Sequence, residues 1–446
     1  MSDKTLDVKQ GQQANQVAAH IACTSCYRKK RKCDRRKPAC SRCLKNRQPC
    51  RYDNLYSAPV DGVFVSATPD GLRTLSDHSI DPVQLIERYT HLIHPWLPII
   101  DVSRFQDRLD HHRMLEAADA ELANLLLCIY IATHPSSARI QNSETLQELY
   151  IRAQNAFASS QILSKFSIRT TQCGLLLAVY QIGAGLLSDA YVTLSTMTGL
   201  ARVNQLQKES QKGSKEQDNI EEQVVWCAIF LLDRLLALAS LPNNLPLILE
   251  QPHSSADLTA NLAFNFCGEI EAAYLAGQVL DYLNNPGEFR DLQFEEINGR
   301  LTALLSVFFD RASGSWRPLC GSMAIVLINY VPSASTELQF ARLIESDSGK
   351  DALESSLHTL STFLRILLDI AENYIKDQNQ KEDNRDVAPI ASIIANYRAS
   401  QAICRQKALN HAMTAEYMKR LVILKEALQL NSFWWGLSGM LDFVMM

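Results

Sequence analysis

Several kinds of segment are missing from this sequence, and each absence removes a class of protein. Residues Met1 to Gln16 are polar and hold no apolar stretch of the kind that opens a secreted chain. The most apolar window, Val224 to Leu241, is interrupted by Asp233 and Arg234, so it reads as a buried amphipathic helix and no membrane partner is expected. No run of alternating apolar and polar residues marks a set of strands. Gly183 and Gly185 lack the lysine and hydroxyl residue of a phosphate loop. Residues 81–446 offer no activated nucleophile, acid–base pair or cofactor motif, and the chain is not read as an enzyme.

What is present is unevenly distributed. The 446 residues are 47% hydrophobic and 21% charged, an ordinary globular balance with length for two or three domains. The net charge of -4 conceals a split. Between Cys23 and Cys50 stand eleven Lys or Arg and one acid, Asp34, a local net of +10 that leaves -14 on the rest. A small basic module is attached to a larger acidic body, a pattern that suits a local nucleic-acid contact. Six of the twelve cysteines fall in that module. The others, Cys128, Cys173, Cys227, Cys267, Cys320 and Cys404, are scattered among apolar residues and read as core thiols in a reducing compartment.

The clustered cysteines follow C-x2-C-x6-C-x6-C-x2-C-x6-C as Cys23, Cys26, Cys33, Cys40, Cys43 and Cys50. The first three and the last three share one spacing, so two half-modules are expected to face each other. Three disulfides are disfavoured where nothing directs export. Paired C-x2-C thiolates suit tetrahedral zinc. One zinc takes four thiolates and leaves two over, whereas two zincs use all six if two of them bridge. A site saturated with thiolate leaves no position for water and is structural. With two Zn2+ the module would still keep about +8, enough to bind phosphates by counterion release.

This stretch resembles the fungal Zn2Cys6 binuclear cluster regulators. The likeness extends past cysteine, to Cys26-Tyr27-Arg28-Lys29-Lys30-Arg31-Lys32-Cys33-Asp34, to Pro38 two residues before Cys40, and to Arg51-Tyr52 after the last cysteine. The resemblance implies that Cys23 and Cys40 bridge two structural Zn2+, that the peptide before Pro38 is cis, and that lysines late in the first helix read CGG triplets in double-stranded DNA. By position Lys29 and Lys30 are the base readers, Lys30 first. Arg28, Arg31, Lys32, Arg35, Arg36, Arg42 and Lys45 are then assigned to phosphates. It further implies a nuclear transcription factor acting with the transcription machinery of RNA polymerase II, and a compact activator of a biosynthetic gene cluster. The alternative is a repressor or an effector-sensing regulator of a catabolic pathway. No sustained heptad follows the cluster, so homodimerisation and half-site spacing stay open.

The expected architecture is mainly α. Residues 1–22 form a disordered N-terminus, 23–50 the DNA-binding module, 51–80 a Pro- and Gly-bearing linker, and 81–446 a large all-α regulatory domain. Asp81-Pro82 reads as a helix cap with a first-turn proline. Helical periodicity then predicts helices near 104–112, 118–133, 143–164, 169–184, 187–205, 221–239, 255–283, 290–310, 318–331, 350–376 and 387–430, with 207–219 a mobile loop. The segment from Tyr89 to Ile99, the stretch Thr170 to Leu206 and the helix Glu221 to Pro242 resemble the regulatory domain of the same fungal proteins. His91, His94, His111 and His112 have no acid or cysteine to complete a metal set. Asp233 and Arg234 are expected as an ion pair, and Trp434 and Trp435 as core.

Overall fold

The computed structural model describes residues 23–50 except Thr24, Tyr27, Arg28, Lys30, Lys37, Pro38, Arg47 and Pro49. Beyond these it describes 81–107, 120–134, 138–163, 167–203, 216–240, 245–259, 262–284 and 290–311, with single positions or short stretches within 320–329, 355–376 and 422–426. The chain divides into two compact units, Met1–Ser66 and Ala67–Met446. The expectations for the N-terminal 22 residues, the linker 51–80, His111, His112, the Pro38 peptide, Trp434 and Trp435 lie outside the described residues, as does most of the helix expected over 387–430.

Among the described residues the structure is helical and holds no strand, as the mainly α expectation required. In the first unit the described residues include helix α1 (Ser41–Lys45). The second contains α2 (Pro82–Leu92), α3 (Ala120–Ala132), α4 (Ala138–Leu163), α5 (Ile168–Gly183), α6 (Leu187–Val203), α7 (Glu216–Ser240), α8 (Ala256–Thr259), α9 (Phe264–Asn284) and α10 (Arg290–Arg311).

Helix α2 starts where its cap dictates. The Asp81 carboxylate accepts from Val83 N at 3.0 Å, and Pro82 occupies the first turn, where no N–H is needed. The chain then folds back through two prolines. Tyr89, fully buried, donates its hydroxyl to Leu97 O at 3.0 Å and accepts from Ile100 N at 3.2 Å. Trp96 Nε1 donates to Leu92 O at 3.0 Å. These bonds satisfy backbone groups that the prolines and the turn would leave orphaned in the core.

Helix α5 is the centre of the second unit. All but a few of its residues are buried, and it packs against α3, α4, α6 and α7. Ser167 caps it by accepting from Thr170 N at 3.3 Å. At Gly174 a Cβ would come within 2.3 Å of Met197 Sδ on α6, so a small residue permits the close crossing. Helix α7 packs on α5, α6 and α9. Its Ile220–Ser240 stretch is long and apolar enough to cross a membrane, but 83% of its most apolar window is buried inside the protein, which makes it a core helix.

Three boundaries differ from expectation. Helix α4 begins at Ala138, five residues before the predicted start at 143. Helix α7 begins at Glu216, so the last residues of the predicted 207–219 loop are its polar first turn. The predicted helix 255–283 is two, α8 and α9, with Leu262 N donating to Thr259 O at the break. Both pieces present apolar residues to one core, and periodicity alone does not register the interruption.

Asp233 and Arg234 form a buried ion pair at 2.6 Å within α7. Asp233 accepts from Ile248 N and Leu249 N, both at 3.0 Å. Arg234 donates to Glu250 O and Gln251 Oε1, both at 3.2 Å, and lies 3.9 Å over the Phe230 ring. The pair pins the segment 245–251 to the helix. His94 is half-buried, its ring edge-on to Tyr89 at 5.6 Å, and burial pushes its pKa down.

Candidate metal centre and nucleic-acid interface

The cysteine module is built twice. Arg31 N donates to Cys26 O at 2.8 Å, and seventeen residues on Gln48 N donates to Cys43 O at 3.0 Å. Lys29 N reaches Ser25 O, and Asn46 N reaches Arg42 O. Cys23 N donates to Cys33 Sγ at 3.4 Å, and Cys40 N to Cys50 Sγ at 3.2 Å. The same backbone bonds therefore recur after each C-x2-C pair, and the third cysteine of each half returns to the first. The repeat read from cysteine spacing is a repeat of backbone geometry.

The six sulfurs converge. Cys23 Sγ lies 3.7 Å from Cys40 Sγ and 3.6 Å from Cys43 Sγ, and Cys26 Sγ lies 3.7 Å from Cys40 Sγ. A disulfide would place sulfurs about 2.05 Å apart, and all six are free thiols. A tetrahedral zinc with bonds of about 2.3 Å places its thiolates about 3.8 Å apart, close to the spacing found. Sγ atoms of Cys23, Cys26, Cys40 and Cys43 all fall within 4.8 Å of one another, and Cys33 Sγ lies within the same limit of Cys40. Cys23 and Cys40 are common to these contacts: each touches a sulfur of the other half. The donor set fits two structural zinc ions.

The electrostatics of the bare cluster point the same way. Burial pushes the Cys23 thiol up, and that of Cys26 up to about 12, with the Cys40 thiol adding to the rise at both. At Cys40 and Cys50 burial opposes ionisation, but backbone N–H and thiol donors outweigh it and the net shift is downward. Crowded, desolvated thiols ionise at one another's expense unless a cation is shared among them.

Asp34, the one acid, is used in folding. It accepts from Ser41 N at 3.1 Å and from the Ser41 hydroxyl, and stands 3.7 Å from Arg36 Nε. The Ser41 hydroxyl leads the causes that lower its pKa. Arg35 next to it has φ 60°, a left-handed turn with no warning in the sequence.

The cationic residues Lys29, Arg31, Lys32, Arg35, Arg36, Arg42 and Lys45 are all exposed. Arg28 and Lys30 lie outside the described residues. Ser25, Asn46 and Gln48 join Lys29, Arg31 and Arg42 around one basin, and the sequence reading passed over these three polar residues. The seventeen-residue repeat was the signal that could have found them.

In the helical unit a cavity of about 240 Å³ is lined by Ile100, Arg104, Phe105, Arg169, Gln172 and Glu221, among others. Its polar groups serve the fold. Gln172 Nε2 donates to Ile99 O at 2.6 Å and to Glu221 Oε1 at 2.8 Å, and Arg104 pairs with Glu221 at 3.5 Å.

A cluster of six thiols that fits zinc and a set of exposed cations around it suit a zinc-dependent nucleic-acid-binding module. The chain carries a fungal Zn(2)-Cys(6) binuclear cluster domain, matched over residues 21–57, and a fungal specific transcription factor domain, matched over residues 86–240. Both are transcription-factor domains, which points to a non-enzymatic protein. No curated protein and no solved structure matches the chain.

Proposed function

We propose that the protein is a nuclear, RNA polymerase II-directed activator of a biosynthetic gene cluster, and that it reads CGG-type triplets. The observation that carries the DNA reading is the seven exposed Lys and Arg side chains of the cysteine module, three of which, Lys29, Arg31 and Arg42, line one basin. In this reading Cys23, Cys26, Cys33 and Cys40 hold one Zn2+, and Cys40, Cys43, Cys50 and Cys23 the other. Shared Cys23 and Cys40 are supported by their contacts across the two halves. The ions supply charge neutralisation and rigidity, and the side chains supply recognition.

Guanine offers O6 and N7 in the major groove, and a lysine of the first helix suits both. Lys30 is the first base reader. Arg28, Arg31, Lys32, Arg35, Arg36, Arg42 and Lys45 fix register on phosphates. The helical domain presents its outer surface to the transcription machinery. Genome-wide mapping of bound sites, with transcripts measured after deletion, tests this. CGG-bearing sites beside genes that fall silent support it. Genes that rise on deletion overturn activation, and sites without the triplet overturn the assigned reading.

A further inference from the structure

A polar basin of about 270 Å³ opens at the seam of the two half-modules. Its lining consists of four pairs of positions, each pair seventeen residues apart: Ser25 with Arg42, Cys26 with Cys43, Lys29 with Asn46, and Arg31 with Gln48. The basin therefore lies on the pseudo-twofold relation between the halves. The chain fills these equivalent positions unequally. Lys29, Arg31 and Arg42 bring three cations, and among the described residues no acid lines the space. Asp34 is turned to Ser41 and Arg36 instead.

Gln48 spans the seam. Its Oε1 accepts from Lys29 Nζ at 2.9 Å and from Ser25 Oγ at 3.5 Å, both in the other half. Its own backbone is fixed by the bond to Cys43 O. A neutral amide oxygen can orient the ammonium without cancelling its charge, which a carboxylate at the same place would do. The ammonium keeps two further donors.

We propose that this basin binds a single phosphodiester group of the DNA backbone through Lys29, Arg31 and Arg42, with Gln48 as the positioning residue. The inference rests on the DNA-binding reading and narrows it: Lys29 becomes a phosphate ligand, and base reading falls to Lys30. Cations converging from the two half-modules, an ammonium and two guanidinium forks, suit the several oxygens of one tetrahedral anion.

The test uses the full-length, zinc-loaded chain, with zinc per chain measured for every variant to show the module intact. Each variant is titrated with a CGG-containing duplex and a scrambled duplex across a chloride series. Lys29→Ala and Arg42→Ala should each weaken both duplexes alike and reduce the salt slope by about one. Gln48→Met keeps the side-chain length and removes the acceptor. It should weaken both duplexes about fivefold, the worth of one exposed charge-assisted hydrogen bond, and add nothing in the Lys29→Ala background. Gln48→Glu should lower the salt slope as Lys29→Ala does. A Lys29→Ala protein that loses its preference for the matched duplex makes Lys29 a base reader and overturns the assignment. So do unchanged salt slopes, or Gln48→Met and Lys29→Ala effects that simply add. Inorganic phosphate binding abolished by Lys29→Ala, with DNA binding untouched, would show a free anion to be the ligand and also overturn it. Equal binding of both duplexes by the unaltered chain would sink the sequence-reading proposal and leave the slope test to decide this one.

Discussion

Replacing Arg234 by methionine isolates the worth of the buried ion pair. Arg234 is fully buried and makes three hydrogen bonds: to Asp233 Oδ2 at 2.6 Å, and to Glu250 O and Gln251 Oε1 at 3.2 Å. Methionine retains an apolar stem beside Phe230 but removes all three donors. Asp233 then stays buried with only Ile248 N and Leu249 N as partners. Burial already pushes the Asp233 carboxyl up and the Arg234 guanidinium down, so each charge is costly to bury without the other. Breaking a pair of this kind costs about 3–5 kcal/mol. At about 2–4 °C per kcal/mol, the helical unit should melt roughly 6–20 °C lower. The assay is thermal unfolding by circular dichroism at fixed zinc and salt. Asp233→Asn added to Arg234→Met removes the stranded charge and keeps one acceptor for the 248–249 backbone. The double variant should recover part of the loss. A single variant that melts with the parent, or a double variant that falls as far as the single, would refute the reasoning.

Other outcomes follow from the same structure. The protein should hold two zinc ions per chain by elemental analysis, chelation should unfold the module, and Cys23→Ala or Cys40→Ala should be at least as damaging as any other cysteine change; one zinc per chain would refute the cluster. Lys30→Ala should lose about 1–3 kcal/mol of discrimination for CGG over mutated triplets. Arg36→Ala or Lys45→Ala should instead weaken all sequences alike and lower the salt slope by about one. Gly277→Ala should destabilise the helical unit by about 1–3 kcal/mol in denaturant titration, because its Cβ would meet Gln251 Oε1 at 2.1 Å and displace the side chain that joins Arg234 to Tyr274 O.

Sequence alone determined the cysteine cluster that fits zinc, the charge split and the helical class. Zinc ligation is legible because thiolates are required at fixed short spacings, and Cys23 to Cys50 supply them twice. Helix α2 was legible because Asp81 and Pro82 act on their own first turn, a local effect. Only the tertiary structure decided what needs residues distant in the chain. It turned Asp34 from a lone acid in a basic run into the partner of Ser41. It placed Tyr89 across the chain reversal at Leu97 and Ile100, and it gave Asp233 two backbone partners fifteen or more residues away. It brought Gln48 onto Lys29 across the seam, where a neutral side chain with no motif of its own sets the geometry of a charged one. Spacing along the chain records local constraints, such as helix periods and paired ligands. Bonds formed by chain reversal leave no period, because their partners are chosen by the folded backbone.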